Sequence, residues 1–284
     1  MSERSNSIDR RSYLKVTGAA GLTTVGLAGC LEDSGNGGDG GDGGDGGDGG
    51  DGGDDGGDGG DGEENQIVAG TAPGFPPFEM NEGGELVGFD IDLLEAVVAE
   101  TEYELTGWEE LEFDSLIPAL DNGNIDVIAA AMTITEERQE SIAFSDPYYS
   151  ANQSVLVQSG GDFEASSLDD LEGADVGAQS GTTGEGVVED ELEDVNYRSY
   201  DNYVLAVEEL ESGLLDAVVL DEPVGETFAA NREVEVAFTF ETGEEYGFGL
   251  RQGEDDLQTA LNDGIAAVEE SGQYEEITRE WFGE

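Results

Sequence analysis

The sequence predicts an α/β protein of two lobes, each a sheet flanked by helices, with a ligand cleft between them. Two observations carry that expectation. Short apolar, strand-like segments alternate with stretches of helical period, as in α/β folds with mostly parallel sheets. The alternation also occurs as two series rather than one.

The first series begins with QIVAG (residues 66–70), an apolar strand. Residues 88–102 place Ile91, Leu94, Val97 and Val98 on one helical face. A short helix is expected over 115–120, a buried strand over DVIAAAM (126–132) and a helix over 136–142. The second series has strands at 154–158, 175–179, 217–221 and 246–250, and helices at 202–211, 222–231 and 255–271. The series join near 148–153, and the chain crosses back near 241–246. Residues 65–149 and 247–284 are therefore expected to form lobe 1, and residues 150–246 lobe 2.

The segment ahead of this part reads differently. A twin arginine (Arg10, Arg11) precedes an apolar run of 14 residues, 16–29. That is short of the roughly 20 needed to span a bilayer and fits the core of an export signal. The pattern resembles a Tat signal, and LAGC (27–30) resembles a lipobox, in which Cys30 would take a lipid. Residues 1–29 are thus expected to be a signal peptide. Residues 37–62 are 17 Gly and 9 Asp. They offer nothing apolar to offset chain entropy, so residues 30–64 are expected to be a disordered tether. Calcium-binding glycine repeats carry an apolar residue at each turn; this tract has none, so no folded metal site is expected there. The tether would span on the order of 30 Å and lift the rest off a membrane.

The net charge is −60, from 69 acidic and 9 basic residues with no His. Such a surface repels nucleic acid and anionic lipid. With Lys nearly absent, it reads as adaptation to concentrated salt, where cations screen the repulsion. Cys30 is the single cysteine, so no intrachain disulfide can form. After residue 64 the only cations are Arg138, Arg198, Arg232, Arg251 and Arg279.

Arg138 follows strand 126–132 in MTITEER, on the first turn of an expected helix that Thr133 or Thr135 could cap. Ligands in open α/β sheets bind at the carboxyl ends of strands. A guanidinium there offers a two-pronged fork to a carboxylate. A salt bridge to a nearby acid explains it equally well from spacing alone. Asp221 ends another expected strand and could equally cap the next helix. AQSGTTG (178–184) is rich in donors but lacks the GK[ST] of a phosphate loop.

Several motifs, in this order, resemble the polar amino-acid binding proteins of ABC importers, solute-binding protein family 3. They are GTAPGFPPFEM with GELVGFDIDLLEAV, FDSLIPALDNGNIDVIAAAMTITEERQESIAFSDPYY, VGAQSGTTG, LDAVVLDEP and SGQYEEITREWFG. The resemblance spans nearly all of residues 66–283. It implies the two-lobed type II periplasmic-binding-protein fold. It also implies that Arg138 holds a ligand α-carboxylate, assisted by Thr133 and the backbone near Ala131. Asp221 would hold the α-ammonium. Gln179 and Thr183 would reach the carboxylate or side chain, and Phe75 and Phe113 would sandwich the side chain. Phe78 and Phe89 are assigned to the core. Ala72 stands where relatives for cationic ligands often carry Asp, which favours a neutral polar amino acid, glutamine first.

The expected protein is thus a monomeric, lipid-anchored binding protein on the extracellular face of the membrane. It would deliver a free amino acid to an ABC permease, with no cofactor, metal or nucleic acid. A dehydratase-like enzyme on the same fold, or a sensory module with the same pocket, are the alternatives.

Overall fold

The computed structural model describes residues 65–283. The signal-like segment, Cys30 and the Gly/Asp tract lie outside the described residues.

The first sheet opens with β1 (Gln66–Thr71). A small hairpin, β2 (Met80–Glu82) and β3 (Glu85–Val87), leads into α1 (Phe89–Ala99). Then follow β4 (Glu104–Glu110), α2 (Leu116–Asp121), β5 (Val127–Ile128), α3 (Glu136–Gln139) and β6 (Ile142–Phe144). The second sheet is built from β7 (Tyr149–Gln158), β8 (Asp175–Gln179), α4 (Thr183–Glu191), β9 (Asn196–Tyr200) and α5 (Tyr203–Glu211). It is completed by β10 (Ala217–Asp221), α6 (Glu222–Asn231) and β11 (Val234–Tyr246). The chain then returns to the first sheet with β12 (Gly249–Arg251) and ends in α7 (Asp255–Ser271) and α8 (Gln273–Phe282).

The strand orders are β4-β1-β5-β12-β6 and β11-β7-β10-β8-β9. Each sheet is half parallel. β1 runs parallel to β4 and β5, while β12 is antiparallel to β5 and β6. β10 and β9 run parallel to β8, while β7 is antiparallel to β10 and β11. The expectation of mostly parallel sheets is corrected accordingly: the strand that follows each crossing between sheets, β7 or β12, runs against the other four strands of its sheet.

Both faces of each sheet are covered. Along β5 and its extension, Val127 and Ala129 enter one apolar cluster while Ile128 and Ala130 enter another. Along β10, Val218 and Leu220 face one cluster and Ala217 and Val219 the other. Such strands read as continuous apolar runs because water touches neither side. Helices α1, α7 and α8 pack together, and α2 lies against β1, β5 and β12. In the second lobe α4 and α5 pack on β8 and β10, and α6 packs on β7, β10 and β11. Phe78 and Phe89 are fully buried, with their rings edge to face at 5.8 Å.

Three expected elements change. The strand over 126–132 pairs only at Val127–Ile128, and its continuation leaves the ladder, with Ala131 at a φ of 44°. The helix over 136–142 stops at Gln139, because Ile142 pairs with Arg251 of β12. The strand over 246–250 is two: β11 ends at Tyr246 and β12 starts at Gly249.

Candidate functional site

Arg138 is placed by the segment that leaves β5. Thr133 bridges to Tyr246, and the N–H of Ile134 donates to the Glu245 carbonyl at 2.8 Å, fixing this segment to the end of β11. Thr135 caps α3 by accepting from the N–H of Arg138 at 3.1 Å, which leaves the Thr133 hydroxyl free for the interior. Arg138 Nη1 donates to the Thr133 carbonyl at 2.7 Å, and Nη2 donates across the cleft to the Gly181 carbonyl at 2.9 Å. The guanidinium carbon lies 5.2 Å from the centre of the Phe113 ring. Among the described residues, no carboxylate pairs with Arg138 at ion-pair distance, whereas Arg198, Arg232 and Arg251 are all paired with acids elsewhere. Burial lowers the Arg138 pKa; Asp221, Glu244 and Glu137 act in the opposite direction from farther off.

Asp221 lies on the other lobe, at the end of β10. It occupies the N-cap position of α6, yet its side chain makes no capping bond. Its carboxylate instead accepts from Gln153 Nε2 at 2.6 Å. Burial pushes its pKa well up, Glu244 adds to that, and Arg138 opposes it. The same Gln153 amide reaches Glu244 Oε1 at 3.1 Å and Thr183 Oγ1 at 3.3 Å. Glu244 Oε2 accepts from Thr133 Oγ1 at 2.8 Å and Thr183 Oγ1 at 2.9 Å, so one carboxylate ties both lobes together. A register shift between Phe240 and Glu244 sets that side chain in place.

All eight residues singled out from the sequence (Phe75, Phe113, Ala131, Thr133, Arg138, Gln179, Thr183 and Asp221) line one pocket of about 280 Å³, counting the space around its lining atoms. Thr182 and Glu79 line it too. The walls stand close: the centre of a water molecule can move through only about 10 Å³ of it. The N–H of Ala131 is already donated to Asp90 Oδ2 at 2.6 Å, and Tyr148 OH donates to the same oxygen at 2.6 Å. That backbone donor is therefore not open to a ligand. Thr182, not Thr183, caps α4, accepting from the Glu185 N–H at 3.2 Å.

Sequence reasoning passed over Glu79, Gln153 and Glu244. Glu79 sits one residue past Phe78 within GFPPFE, and its carbonyl accepts the N–H groups of Gly74 and Phe75, both at 3.1 Å. Its side chain is 1% exposed. Among the described residues no three or more His, Cys, Asp or Glu side chains are grouped to hold a metal ion. No described helix is long and apolar enough to cross a membrane.

Two lobes closing on a pocket with a half-buried cation on one side and a buried carboxylate on the other define a small-molecule binding protein. The chain belongs to the bacterial extracellular solute-binding proteins, family 3, whose profile matches residues 67–284. It is 36% identical over 216 residues to a probable histidine-binding protein of Neisseria gonorrhoeae, covering 73% of this chain and 80% of that one. It is 33% identical over 220 residues to ABC transporter arginine-binding protein 1 of Escherichia coli K12, covering 75% and 89%. Among solved structures, an ancestral arginine-binding protein bound to glutamine aligns with a TM-score of 0.73 and 39% identity, covering 78% of this chain and 99% of that one.

Proposed function

We propose that the pocket takes one free amino acid as its zwitterion. Arg138, with the Thr133 hydroxyl, holds the α-carboxylate, and Asp221 holds the α-ammonium. Phe75 and Phe113 flank the side chain, and Gln179 and Thr183 supply further polar contacts. The observation that carries this reading is Arg138: a half-buried guanidinium over an aromatic ring, with two carbonyls as acceptors and no carboxylate of its own. A ligand carboxylate would complete it with a charge-assisted pair of bonds.

Capture and release then follow from lobe motion. Arg138 to Gly181 and Thr133 to Glu244 to Thr183 are contacts between the lobes. Opening must break them, and the ligand bonds formed on both walls would replace them on closing. The protein delivers its cargo to the permease of an ABC importer and is tethered to the outer face of the membrane through a lipid on Cys30. No chemistry is assigned to the pocket; the matched relatives are binding proteins.

The test is calorimetric titration of the protein in concentrated KCl with each of the twenty amino acids. Heat from one or a few supports the reading. Silence from all twenty, with the protein folded by circular dichroism, would sink it.

A further inference from the structure

Glu79 is the least satisfied acid of the pocket. Both its oxygens are buried and neither has a hydrogen-bond donor. Burying a carboxylate in that condition is strongly unfavourable. The backbone nevertheless holds it firmly. Glu79 pairs with Phe75 across a tight turn. That turn is bolted to α1, whose Phe89 and Asp90 N–H groups donate to the carbonyls of Pro77 (2.9 Å) and Phe78 (3.0 Å).

The charges around it are the wrong sign to help. Burial acts most strongly, then Asp90 from α1, then Asp221 from the end of β10, and all three push its pKa well up. Arg138 does not offset this: the acids that act on it, from beyond ion-pair distance, are Asp221, Glu244 and Glu137, not Glu79. A neutral zwitterion leaves this imbalance standing: its carboxylate takes up Arg138, its ammonium takes up Asp221, and Glu79 remains without a counter-charge.

We propose that the pocket selects an amino acid whose side chain is itself a cation, seated on the Glu79 carboxylate beside Phe75. This rests on the amino-acid reading above and names its ligand class. A guanidinium or ammonium supplies the donors that Glu79 lacks, and the Phe75 ring offers a cation a favourable face. The sequence favours glutamine because Ala72 stands where relatives for cationic ligands often carry Asp. Ala72, however, borders a neighbouring groove with Asn81 and Glu110, while Glu79 brings a carboxylate to the pocket by another route.

The test uses the purified protein in concentrated KCl, titrated with L-arginine, L-lysine, L-histidine, L-glutamine and L-citrulline. Citrulline keeps the shape of arginine without its charge. At least one cationic ligand should bind roughly 30-fold or more tightly than glutamine and citrulline, the scale set by truncating one partner of a buried charge pair. Glu79→Gln should bring that ligand to within roughly threefold of glutamine. Glutamine or citrulline matching the best cation would overturn this inference and leave amino-acid binding standing. A cation preference that survives Glu79→Gln would overturn the role of Glu79. No binding of any of the five ligands, or of the other amino acids, by folded protein would instead overturn the amino-acid reading itself. Should Glu79→Gln fail to fold, the comparison of cationic with neutral ligands on the unaltered protein still decides the ligand class.

Discussion

Gly88→Ala is the substitution whose effect the structure fixes most closely. Gly88 has a φ of 151°, and a Cβ there would stand 1.9 Å from the Phe78 carbonyl oxygen, 2.5 Å from its carbon and 2.8 Å from the Glu79 Cα. These are backbone atoms, so no side chain can turn aside. The turn 75–79 would have to move by about 1 Å or more to restore ordinary contact. Forcing an overpacked contact costs about 1–3 kcal/mol, and the strained backbone about as much again. The sum, about 2–6 kcal/mol, lowers the melting temperature of a domain this size by on the order of 10 °C. The same displacement moves Glu79 and Phe75 off the pocket wall, so affinity should fall roughly tenfold or more. Thermal melting followed by circular dichroism and calorimetric titration read the two effects separately. A melt within about 2 °C of the parent, with affinity unchanged, would refute the argument that this close approach sets the turn.

Other outcomes follow from the same structure. Arg251 donates to the carbonyls of Ile125 (2.7 Å) and Leu120 (3.3 Å) and to Asp126 at 2.8 Å, joining β12 to the end of α2. Arg251→Met should cost about 1–3 kcal/mol by chemical denaturation and leave ligand affinity unchanged. Asp90 has its pKa raised from 3.8 to about 7 by burial, despite the bonds from Tyr148 and Ala131. A carboxyl raised in the folded state favours folding below its unfolded pKa and loses that contribution as pH climbs through the folded one. The melting temperature should therefore fall between pH 4 and pH 7. Asp90→Asn should flatten part of that slope, the rest belonging to Glu79 and Asp221, which are shifted the same way. An unchanged slope in Asp90→Asn would count against the assignment.

Much of the fold was legible because water is excluded from both faces of the central strands. The runs at 175–179 and 217–221, and the helices at 222–231 and 255–271, show their period or apolarity without help from context. The strands without an expected counterpart are the β2–β3 hairpin, β11 ahead of Tyr246, and β4 and β9, these last two at sheet edges. Their residues, ELTGWEE and NYRSY, are half exposed and polar, and so lack the apolar run that marks their neighbours. Of β6, also at an edge, Ile142 falls in the expected helix 136–142, and Ala143 and Phe144 lie in no expected element. The site divided in a similar way. Arg138 stood out because cations are scarce in this chain, and the family motifs supplied its neighbours. Glu79 and Glu244 did not, because one acid among 69 carries almost no information. Only burial, and the lack of donors at Glu79, separates them from the acidic surface. Gln153 was hidden for a different reason: its amide acts through Asp221 and Glu244, contacts that depend on how β7, β10 and β11 are brought together.

The most direct measurement is the affinity of the protein and of Arg138→Ala for whichever amino acid binds, by calorimetry in concentrated KCl with a melt to confirm folding. If Arg138 holds the α-carboxylate, the substitution should weaken binding by roughly 30-fold or more, the loss expected on truncating one partner of a buried charge pair. A folded Arg138→Ala protein that binds as tightly as the parent would contradict the account.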